Sequence, residues 1–370
     1  MKEKIIGFVK KETILVVSLA LALISACFVH PDRQYFDYID SHTLMLLFCL
    51  MAVMAGYKQL GLFQLVASGT LSRTKNTRQL ACILVFLPFF FSMLITNDVA
   101  LITFVPFAVI VLRIANRETL LVPIVILQTI AANLGSMLTP MGNPQNLYLF
   151  TQSKMSLADF LLLMLPYTIA AGICLLFACM LMKKDTLTDL TLDTSSKPAL
   201  LPSLLYGILF FLCLLCVADV IPAWSVFTIV LIYLIILDRK ILLQIDYSLL
   251  GTFIGFFVFI GNMERIAAFR SFIESILAGH EVIVAVLSSQ LISNVPAALL
   301  LSGFTTKINA LIIGTNLGGL GTLIASMASL ISYKQIAREY PDDRGRYIKW
   351  FSLANICMLV ILLGLMLLLS

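Results

Sequence analysis

The feature that most constrains this chain is a series of apolar runs, about 15 to 25 residues each, that recurs from residue 13 to residue 369. At about 1.5 Å per residue, such helical runs match a bilayer core about 30 Å thick. Hydrophobic residues make up 60% of the chain and charged residues 12%, with a mean hydropathy of +1.01, which is too apolar for a soluble domain. Unbroken apolar stretches such as 359–369 lack the alternation of a membrane β-strand. The sequence therefore predicts an all-α polytopic membrane protein.

The first apolar run, 13–28, follows a lysine-rich segment, as the core of a signal peptide would. It lacks a clear small-residue cleavage site, so we expect a retained helix. The eight cysteines lie in apolar runs and imply no disulfides; the C-x-x-C of Cys213 and Cys216 is best explained by helix packing. The three histidines are scattered at run ends, so no metal cluster is expected.

The distribution of positive charge turns the apolar runs into a topology, because Lys and Arg near the spans stay on the cytoplasmic side. With the N-terminus inside, five basic residues fall outside, which leaves 20 of the 25 inside. The five are Arg33, Lys154, Arg265, Arg270 and Lys307. This bias requires the stretches 80–112 and 281–304 to be re-entrant hairpins, entered from inside and from outside respectively. We expect about nine full spans plus these hairpins, in the bacterial inner membrane, with an extracytoplasmic C-terminus.

The two halves of the chain repeat one pattern. Residues 1–182 form the first predicted repeat, 183–222 a cytoplasmic linker and connecting span, and 223–370 the second repeat. Each repeat reads as two spans, an amphipathic surface segment (61–73 or 264–279), a hairpin, an interrupted span (119–151 or 308–333) and a last span. The single connecting span inverts the second copy. Inverted repeats of this kind are typical of secondary transporters that alternate access around one central site.

Sequence similarity between the halves is strongest where polar residues interrupt the apolar runs. At the hairpin tips, Leu94-Ile95-Thr96-Asn97 matches Leu291-Ile292-Ser293-Asn294. In the interrupted spans, Asn133-Leu134-Gly135 matches Asn316-Leu317-Gly318, and Thr139 aligns with Thr322, Asn143 with Ser326 and Asn146 with Ser329. Small polar residues also permit close helix packing, which would explain an isolated asparagine. Four clusters matched in two copies favour a binding site instead.

The segment Gly142-Asn143-Pro144-Gln145-Asn146 predicts a break within a span, because glycine and proline disfavour helix continuation. Unwound backbone at membrane depth is costly unless it lines an enclosed or watery cavity. Free N–H groups at a broken helix favour a small anion, and free carbonyls favour Na⁺. We therefore expect the solute and its coupling ion to bind at these breaks.

Asp98 is the acidic residue at a hairpin tip, and intramembrane acids are expensive and usually functional. Its counterpart in the second copy is Val295, so the two tips are not equivalent. The hypothesis is that Asp98 binds the coupling ion, by ligating Na⁺ or by taking up a proton. The structural alternative is that it caps the helix that follows. Glu264 and Arg265 are interpreted as an interfacial pair, and the basic loop 334–349 as a topology anchor that contacts anionic lipid.

In these polar segments the chain resembles the ion transporter superfamily, which includes arsenite permeases, D-type Na⁺/H⁺ antiporters, citrate-transporter-like permeases and divalent anion:sodium symporters. The likeness covers nearly the whole chain and is closest to YbiR-type bacterial inner-membrane anion permeases. The strings that carry it are 96–101, 135–146 and 289–296. The resemblance implies a scaffold, a transport domain that moves as an elevator, and a dimer. In the dicarboxylate branch both tips read Ser-Asn-Thr. The tips here, Thr96-Asn97-Asp98 and Ser293-Asn294-Val295, depart at the third position, and the acidic one resembles the arsenite-permease and antiporter branches.

The leading prediction is an ion-coupled permease for a small anion, such as a carboxylate or inorganic oxyanion, with Na⁺ or H⁺ as coupling ion, no other cofactor and no nucleic-acid partner. The alternative on the same fold is Na⁺/H⁺ exchange or arsenite-type efflux. A membrane enzyme is disfavoured because catalytic motifs are missing, and a passive channel because inverted repeats suit alternating access. Candidate Na⁺ ligands are Asn97, Asp98 and Asn143. The predicted site comprises Thr96, Asn97, Asp98, Asn133, Thr139, Gly142, Asn143, Pro144, Gln145, Asn146, Ser293, Asn294, Asn316, Thr322, Ser326 and Ser329.

Overall fold

The computed structural model describes residues 12–71, 74–187 and 199–369, and this part of the chain is almost entirely helical. The lysine-rich segment before the first apolar run and most of the predicted linker, with Pro198, lie outside the described residues. The helices of the first half are α1 (Thr13–Phe28), α2 (Gln34–Asp37), α3 (Ser41–Gln59), α4 (Leu62–Leu71), α5 (Thr77–Phe91), α6 (Asn97–Ile114), α7 (Leu121–Ser136), α8 (Pro144–Ser153) and α9 (Leu157–Met180). Those that follow are α10 (Leu200–Val217), α11 (Ala223–Leu237), α12 (Arg239–Leu242), α13 (Tyr247–Glu264), α14 (Ala267–Leu277), α15 (Glu281–Ile292), α16 (Asn294–Ser302), α17 (Ile308–Leu317), α18 (Met327–Glu339) and α19 (Arg344–Leu369).

Seven helices in the described residues are long and apolar enough to cross a membrane. They are α3, α6, α7 with the 3₁₀ turn before it, α9, α10, α13 and α19 with the 3₁₀ turn before it. Four shorter apolar helices, α1, α5, α11 and α17, add to them. The prediction of an all-α polytopic membrane protein is confirmed. The number of full spans and the re-entrant character of the hairpins stay predictions.

The predicted hairpins and interrupted spans coincide with helix pairs. Helices α5 and α6 pack against each other across the short turn 92–96, and α15 and α16 do so across Ser293 alone. The predicted surface segments correspond to α4 and α14, and α14 meets α15 at an angle of 110°. The first interrupted span is α7 and α8, with residues 137–143 between them; the second is α17 and α18, with residues 318–326 between them. The helix that closes the second interrupted span extends six residues beyond its predicted end, from 333 to 339.

The halves pack through their interrupted spans. Helix α17 lies against α8 and against both helices of the second hairpin, whereas α18 lies against α6 and α7. Helices α10 and α11 pack together on α3. The first unwound segment is therefore enclosed by protein, and the second is enclosed except at Thr322 and Ile324, which are exposed. Protein contact lets the polar backbone groups of both segments find partners away from lipid.

Helix α1 packs along α13, and small residues bring the two backbones close. A Cβ added to Gly255 would lie 2.7 Å from the hydroxyl oxygen of Ser18 and 2.9 Å from its backbone carbon. Further along, the Asn262 amide donates a hydrogen bond of 2.9 Å to the hydroxyl of Ser25. Close approach at small residues, joined by a polar contact, is how helices associate where lipid removes the hydrophobic drive.

Replacing Gly255 with alanine is expected to lower the free energy of unfolding by about 1–3 kcal/mol, because the added methyl group overpacks the contact with Ser18. Thermal or denaturant unfolding of the purified protein in detergent measures the change. The control is Gly364→Ala on α19, where an added Cβ meets no atom within 4 Å. Equal stability of the two variants would contradict close packing of α1 on α13.

A cluster of charged and tyrosine side chains joins the end of α6, the segment before α7 and the end of α18. Arg113, at the end of α6, donates 2.9 Å hydrogen bonds to Glu339 and to the hydroxyl of Tyr340, and the Tyr340 hydroxyl donates to Glu118. Burial, with the bond to Glu118 as the next cause, raises the pKa of the Tyr340 phenol above its ordinary value. These bonds tie the base of the first hairpin to the start of α7 and the end of α18.

Candidate functional site

The first unwound segment is held by its own asparagines. The Asn143 side chain caps α8 by accepting a 2.9 Å hydrogen bond from the backbone N–H of Asn146, and Pro144 takes the first helical position. Both are common signals for a helix start. The Asn146 amide then donates to the carbonyls of Ser136, Met137 and Thr139 at 3.2–3.4 Å. The span is thus interrupted, as predicted, but the unwound turn is residues 137–143: Gly142 and Asn143 end it, whereas Pro144, Gln145 and Asn146 already form the first turn of α8 because the asparagine cap and the proline start the helix there.

Gly142 and Thr139 fix how this turn sits in the fold. A Cβ on Gly142 would collide with the carbonyl group of Ser136, so the turn closes only on a residue without a side chain. The Thr139 hydroxyl donates a 2.5 Å hydrogen bond to the carbonyl of Met93 in the first hairpin. This bond links the turn to the hairpin tip.

The second unwound segment, 318–326, is held differently. Gly321 has a φ of +110°, which favours glycine. Gln290 of α15 reaches over the segment and bonds Gly318, Leu320 and Thr322. The hairpin tip adds a 3.0 Å bond from the backbone N–H of Asn294 to the carbonyl of Ala325, next to Ser293, whose φ is +74°. A non-glycine residue at positive φ in a tip is a strained feature of the kind that clusters at functional sites.

Asn133 is the centre of one polar cluster. Its side-chain oxygen accepts 3.0 Å hydrogen bonds from the Asn97 amide and from the Ser326 hydroxyl, and its amide donates to the Ser329 hydroxyl at 3.4 Å. All four residues are buried. Asn133 therefore joins the first hairpin tip, the end of α7 and the start of α18.

Asn316 is the centre of a second cluster. Its side-chain oxygen accepts a 3.1 Å bond from the Asn143 amide, and its own amide donates to the side-chain oxygen of Asn146 at 2.5 Å. The Asn143 amide also donates to the Ser136 hydroxyl at 3.2 Å. Asn316 thereby joins the end of α17 to the start of α8.

The two clusters use residues that the sequence comparison aligned. Asn133 contacts Ser326 and Ser329, and its aligned partner Asn316 contacts Asn143 and Asn146, which align with those serines. The correspondence extends to two further pairs of contacts. The Thr139 hydroxyl bonds the carbonyl of Met93, and the aligned Thr322 hydroxyl bonds the carbonyl of Gln290. A Cβ added to Gly135 would contact the Ser92 hydroxyl, and a Cβ added to the aligned Gly318 would contact the Ser289 hydroxyl. The asparagine contacts therefore run reciprocally between the halves, whereas the threonine and glycine contacts recur within each half.

Two adjoining cavities lie beside these clusters, and Asp98 borders both. The first cavity, about 410 Å³, is lined by Thr96 and Asp98 at the start of α6 and by Asn143 and Pro144 at the start of α8. The second, about 180 Å³, is lined by Asp98, by Val295 and Pro296 at the start of α16, and by Met327 at the start of α18. Four helix N-termini, each with a partial positive charge, therefore border these two cavities.

Asp98 has a buried oxygen without a partner. It lies in the first turn of α6, where a carboxylate interacts favourably with the helix dipole. Its Oδ1 atom is buried and accepts no hydrogen bond among the described residues. The cap position is held by Thr96 without a side-chain bond, so a capping role does not account for this oxygen. An orphaned carboxylate oxygen at a cavity wall is suited to receive a proton or a cation.

The predicted site residues fall into a centre and a periphery. Those in the two clusters or on the cavity walls are Thr96, Asn97, Asp98, Asn133, Asn143, Pro144, Asn146, Asn316, Ser326 and Ser329. Those that hold the turns or tips are Thr139, Gly142, Ser293, Asn294 and Thr322; Gln145 is buried on α8. Thr322 is exposed and contacts Gln290 rather than the centre.

Sequence reasoning missed four residues at the site. Ser136 accepts a hydrogen bond from Asn143 in the second cluster, Gln290 holds the second unwound segment, and Lys58 and Asp246 line the first cavity. Ser136 and Gln290 lie in the segments 135–146 and 289–296 that carry the family resemblance, so their position in these segments could have identified them as site residues. Lys58 and Asp246 lie at ends of α3 and α13, where a charged residue is ordinary, so only the fold places them beside Asp98.

These features define a polytopic α-helical membrane protein with interrupted helices that meet at a buried polar centre. The chain belongs to the Citrate transporter family, whose model matches residues 5–309. It is 32% identical to an uncharacterised transporter of Methanocaldococcus jannaschii, MJ0456, over 324 residues that cover 87% of this chain and 88% of the relative. It is 30% identical to the inner membrane protein YbiR of Escherichia coli K12 over 302 residues, 80% of each chain.

A third relative matches only part of the chain. The silicon efflux transporter LSI3 of Oryza sativa is 36% identical over 159 residues, which cover 42% of this chain and 32% of that protein. The family and these relatives establish the chain as a transporter of this family.

Proposed function

We propose that this transporter is a secondary active permease that moves a small anion, such as a carboxylate or inorganic oxyanion, across the bacterial inner membrane, driven by Na⁺ or H⁺. The observation that carries the proposal is the meeting of four helix N-termini at two adjoining cavities. Helix N-termini carry a partial positive charge, which favours an anion. The walls are otherwise largely apolar, which strengthens such interactions.

Asp98 supplies the reason for coupling. A carboxylate in the same cavity as an anionic solute repels it, and this repulsion is strong where water is scarce. A proton or Na⁺ at Asp98, with Asn97 and Asn143 as further ligands, removes the negative charge. Solute and cation then bind cooperatively, and each raises the affinity for the other.

Two halves with matched contacts support an alternating-access cycle. In the proposed cycle the hairpins and interrupted spans, tied together by the Asn133 and Asn316 clusters, move as one body against α3, α10, α11 and α13. This is the elevator motion that the resemblance implies, in a homodimer with cytoplasmic N-termini and extracytoplasmic C-termini. The predicted inverted repeats at 1–182 and 223–370 give the two end states equivalent geometry.

The test is uptake by proteoliposomes that contain the purified protein. Inward Na⁺ gradients and pH jumps are applied in turn, with radiolabelled citrate, succinate, sulfate or phosphate outside. Ion-driven uptake of at least one anion supports the proposal. Cation exchange that proceeds without any anion contradicts it and indicates an antiporter.

The second candidate is efflux of a neutral hydroxide, such as arsenite or silicic acid. The partial match to a protein named as a silicon efflux transporter favours it. A neutral solute needs no charge compensation at Asp98, so its binding would not depend on the cation. Release of arsenite or silicic acid from loaded vesicles, compared with release of the anions, separates the two candidates.

Lys58 gives a prediction about solute charge. It is an exposed basic residue at the end of α3 and lines the first cavity. Lys58→Gln is expected to raise the KM for an anion about 3- to 10-fold at low ionic strength and less at high salt, with little change in maximal rate. The control is Lys240→Gln on α12, an exposed lysine outside the cavity lining. An unchanged KM in Lys58→Gln would remove Lys58 from the solute path.

A further inference from the structure

Gln290 holds the second unwound segment by both ends of its carboxamide. Its Nε2 donates to the carbonyls of Gly318 at 2.9 Å and Leu320 at 2.8 Å, and its Oε1 accepts from the backbone N–H of Thr322 at 2.9 Å. The backbone carbonyl of Gln290 also accepts from the Thr322 hydroxyl at 3.3 Å. One side chain therefore satisfies three backbone groups that the break in the helix leaves free.

The chemistry of these groups is that of a cation site. Converging carbonyl oxygens of an unwound membrane segment are what proteins use to hold Na⁺. An amide NH₂ group carries two donors and can occupy the same position between carbonyls. We propose that Gln290 fills the second unwound segment in place of an ion, so that each transport cycle uses one coupling cation, bound at Asp98. This inference rests on the proposed ion-coupled function.

The first half has a weaker form of this arrangement. The residue aligned with Gln290 is Met93, whose side chain has no amide, and the first unwound segment is bonded by Asn146 at longer distances of 3.2–3.4 Å. The first half instead has Asp98, with its orphaned Oδ1, where the second half has Val295. The halves thus differ in two ways: the second unwound segment is held by the shorter bonds of Gln290, and the first half alone of the two tips carries a carboxylate for the cation.

Asp246 is the other acid shared by the two cavities. It is exposed, and its Oδ1 accepts a 3.0 Å hydrogen bond from the backbone N–H of Leu249, which caps α13. Its charge is therefore solvated and partly used by the helix. Asp98 has a buried oxygen with no hydrogen-bond partner in the described part of the chain, so it gains more from binding a cation.

The first test counts cations. Solute uptake is measured against Na⁺ activity and against H⁺ activity, and ²²Na⁺ binding is measured on the protein in detergent. The expected Hill coefficient for the coupling ion is about 1. If Na⁺ is that ion, one site per chain binds ²²Na⁺, and Asp98→Asn abolishes the binding. A Hill coefficient near 2, or a cation-binding site that survives in Asp98→Asn, overturns the inference while the proposed function stands. Uptake that no cation activates overturns both.

The second test examines the segment itself by hydrogen–deuterium exchange of peptides covering 318–325. In the unaltered protein, exchange there is expected to be the same with and without the coupling cation, because Gln290 already fills the segment. Gln290→Met, which keeps the length and removes the amide, is expected to raise the exchange rate about 10-fold. Met93→Leu at the aligned position is the control and leaves it unchanged. Protection of this segment by the cation in the unaltered protein would overturn the inference.

Discussion

Asp98→Asn is expected to lower ion-driven solute uptake by about 100-fold or more, because about 2.7 kcal/mol or more of cation binding is lost with the charge. Asparagine keeps the size of the side chain and cannot take up a proton or neutralise Na⁺. The measurement is initial uptake by proteoliposomes under a Na⁺ gradient or a pH jump, at matched protein content. Solute binding without ions is expected to persist, since the N-termini of α6, α8, α16 and α18 remain.

The matched control for this variant is Asp159→Asn. Asp159 is an exposed acid in the first turn of α9, bonded to Ser156 and away from both cavities. The Asp159→Asn substitution removes the same negative charge from the first turn of a helix. It therefore shows how much of the effect comes from losing the interaction of that charge with the helix dipole. Undiminished ion-driven uptake in Asp98→Asn would refute the role of Asp98 in coupling.

Asn133→Ala and Asn316→Ala are each expected to abolish transport while the protein still folds and inserts. Each removes the centre of a buried polar cluster and leaves two or three hydrogen-bonding groups without partners. Each unsatisfied group costs about 1–3 kcal/mol. The first variant releases the α6 tip from the start of α18, and the second releases α17 from the start of α8. Uptake and thermal unfolding are measured together, so that a loss of transport is separated from a loss of protein.

Asn355→Ala is the control for both variants. Asn355 is also a buried asparagine, but among the residues that the structure describes its amide donates only to the carbonyl of Phe351 in its own helix, α19, at 2.8 Å. It therefore tests the removal of a buried amide without breaking a contact between halves. Transport at the normal rate in Asn133→Ala and Asn316→Ala would show that the clusters serve packing only.

The effects of the two central substitutions are also expected to be non-additive in the double variant. Both asparagines hold the same two interrupted spans together, so breaking the second link costs less once the first is lost. Residues that share a network show interaction energies of about 0.5–3 kcal/mol in such cycles. Simple addition of the two effects on stability would indicate that the halves are joined elsewhere.

The sequence predicted the fold class and the polar positions of the centre. Apolar runs of bilayer length require helices, and polar residues within them are too costly to be incidental. Asn97, Asn143 and Asn316 could be selected because each interrupts such a run and aligns with a polar residue in the other half. The start of a new helix at Pro144 was predictable because proline and an asparagine cap are local signals, whereas the unwound residues that precede it begin at 137, five residues before the predicted break.

The partners of those residues were decided by the tertiary structure alone. Asn133 bonds Ser329 across 196 residues and Asn143 bonds Asn316 across 173, and local sequence patterns carry no information about contacts at such separations. The same holds for Gln290, which is a polar residue on an apolar helix until the fold places three backbone groups of a distant segment around it. The orphaned oxygen of Asp98 likewise exists only because α6, α8, α13 and α16 enclose it. The hydrophobic pattern of the sequence determined which residues face away from the lipid. The hydrogen-bond partners of those residues depended on which helices contact each other in the fold.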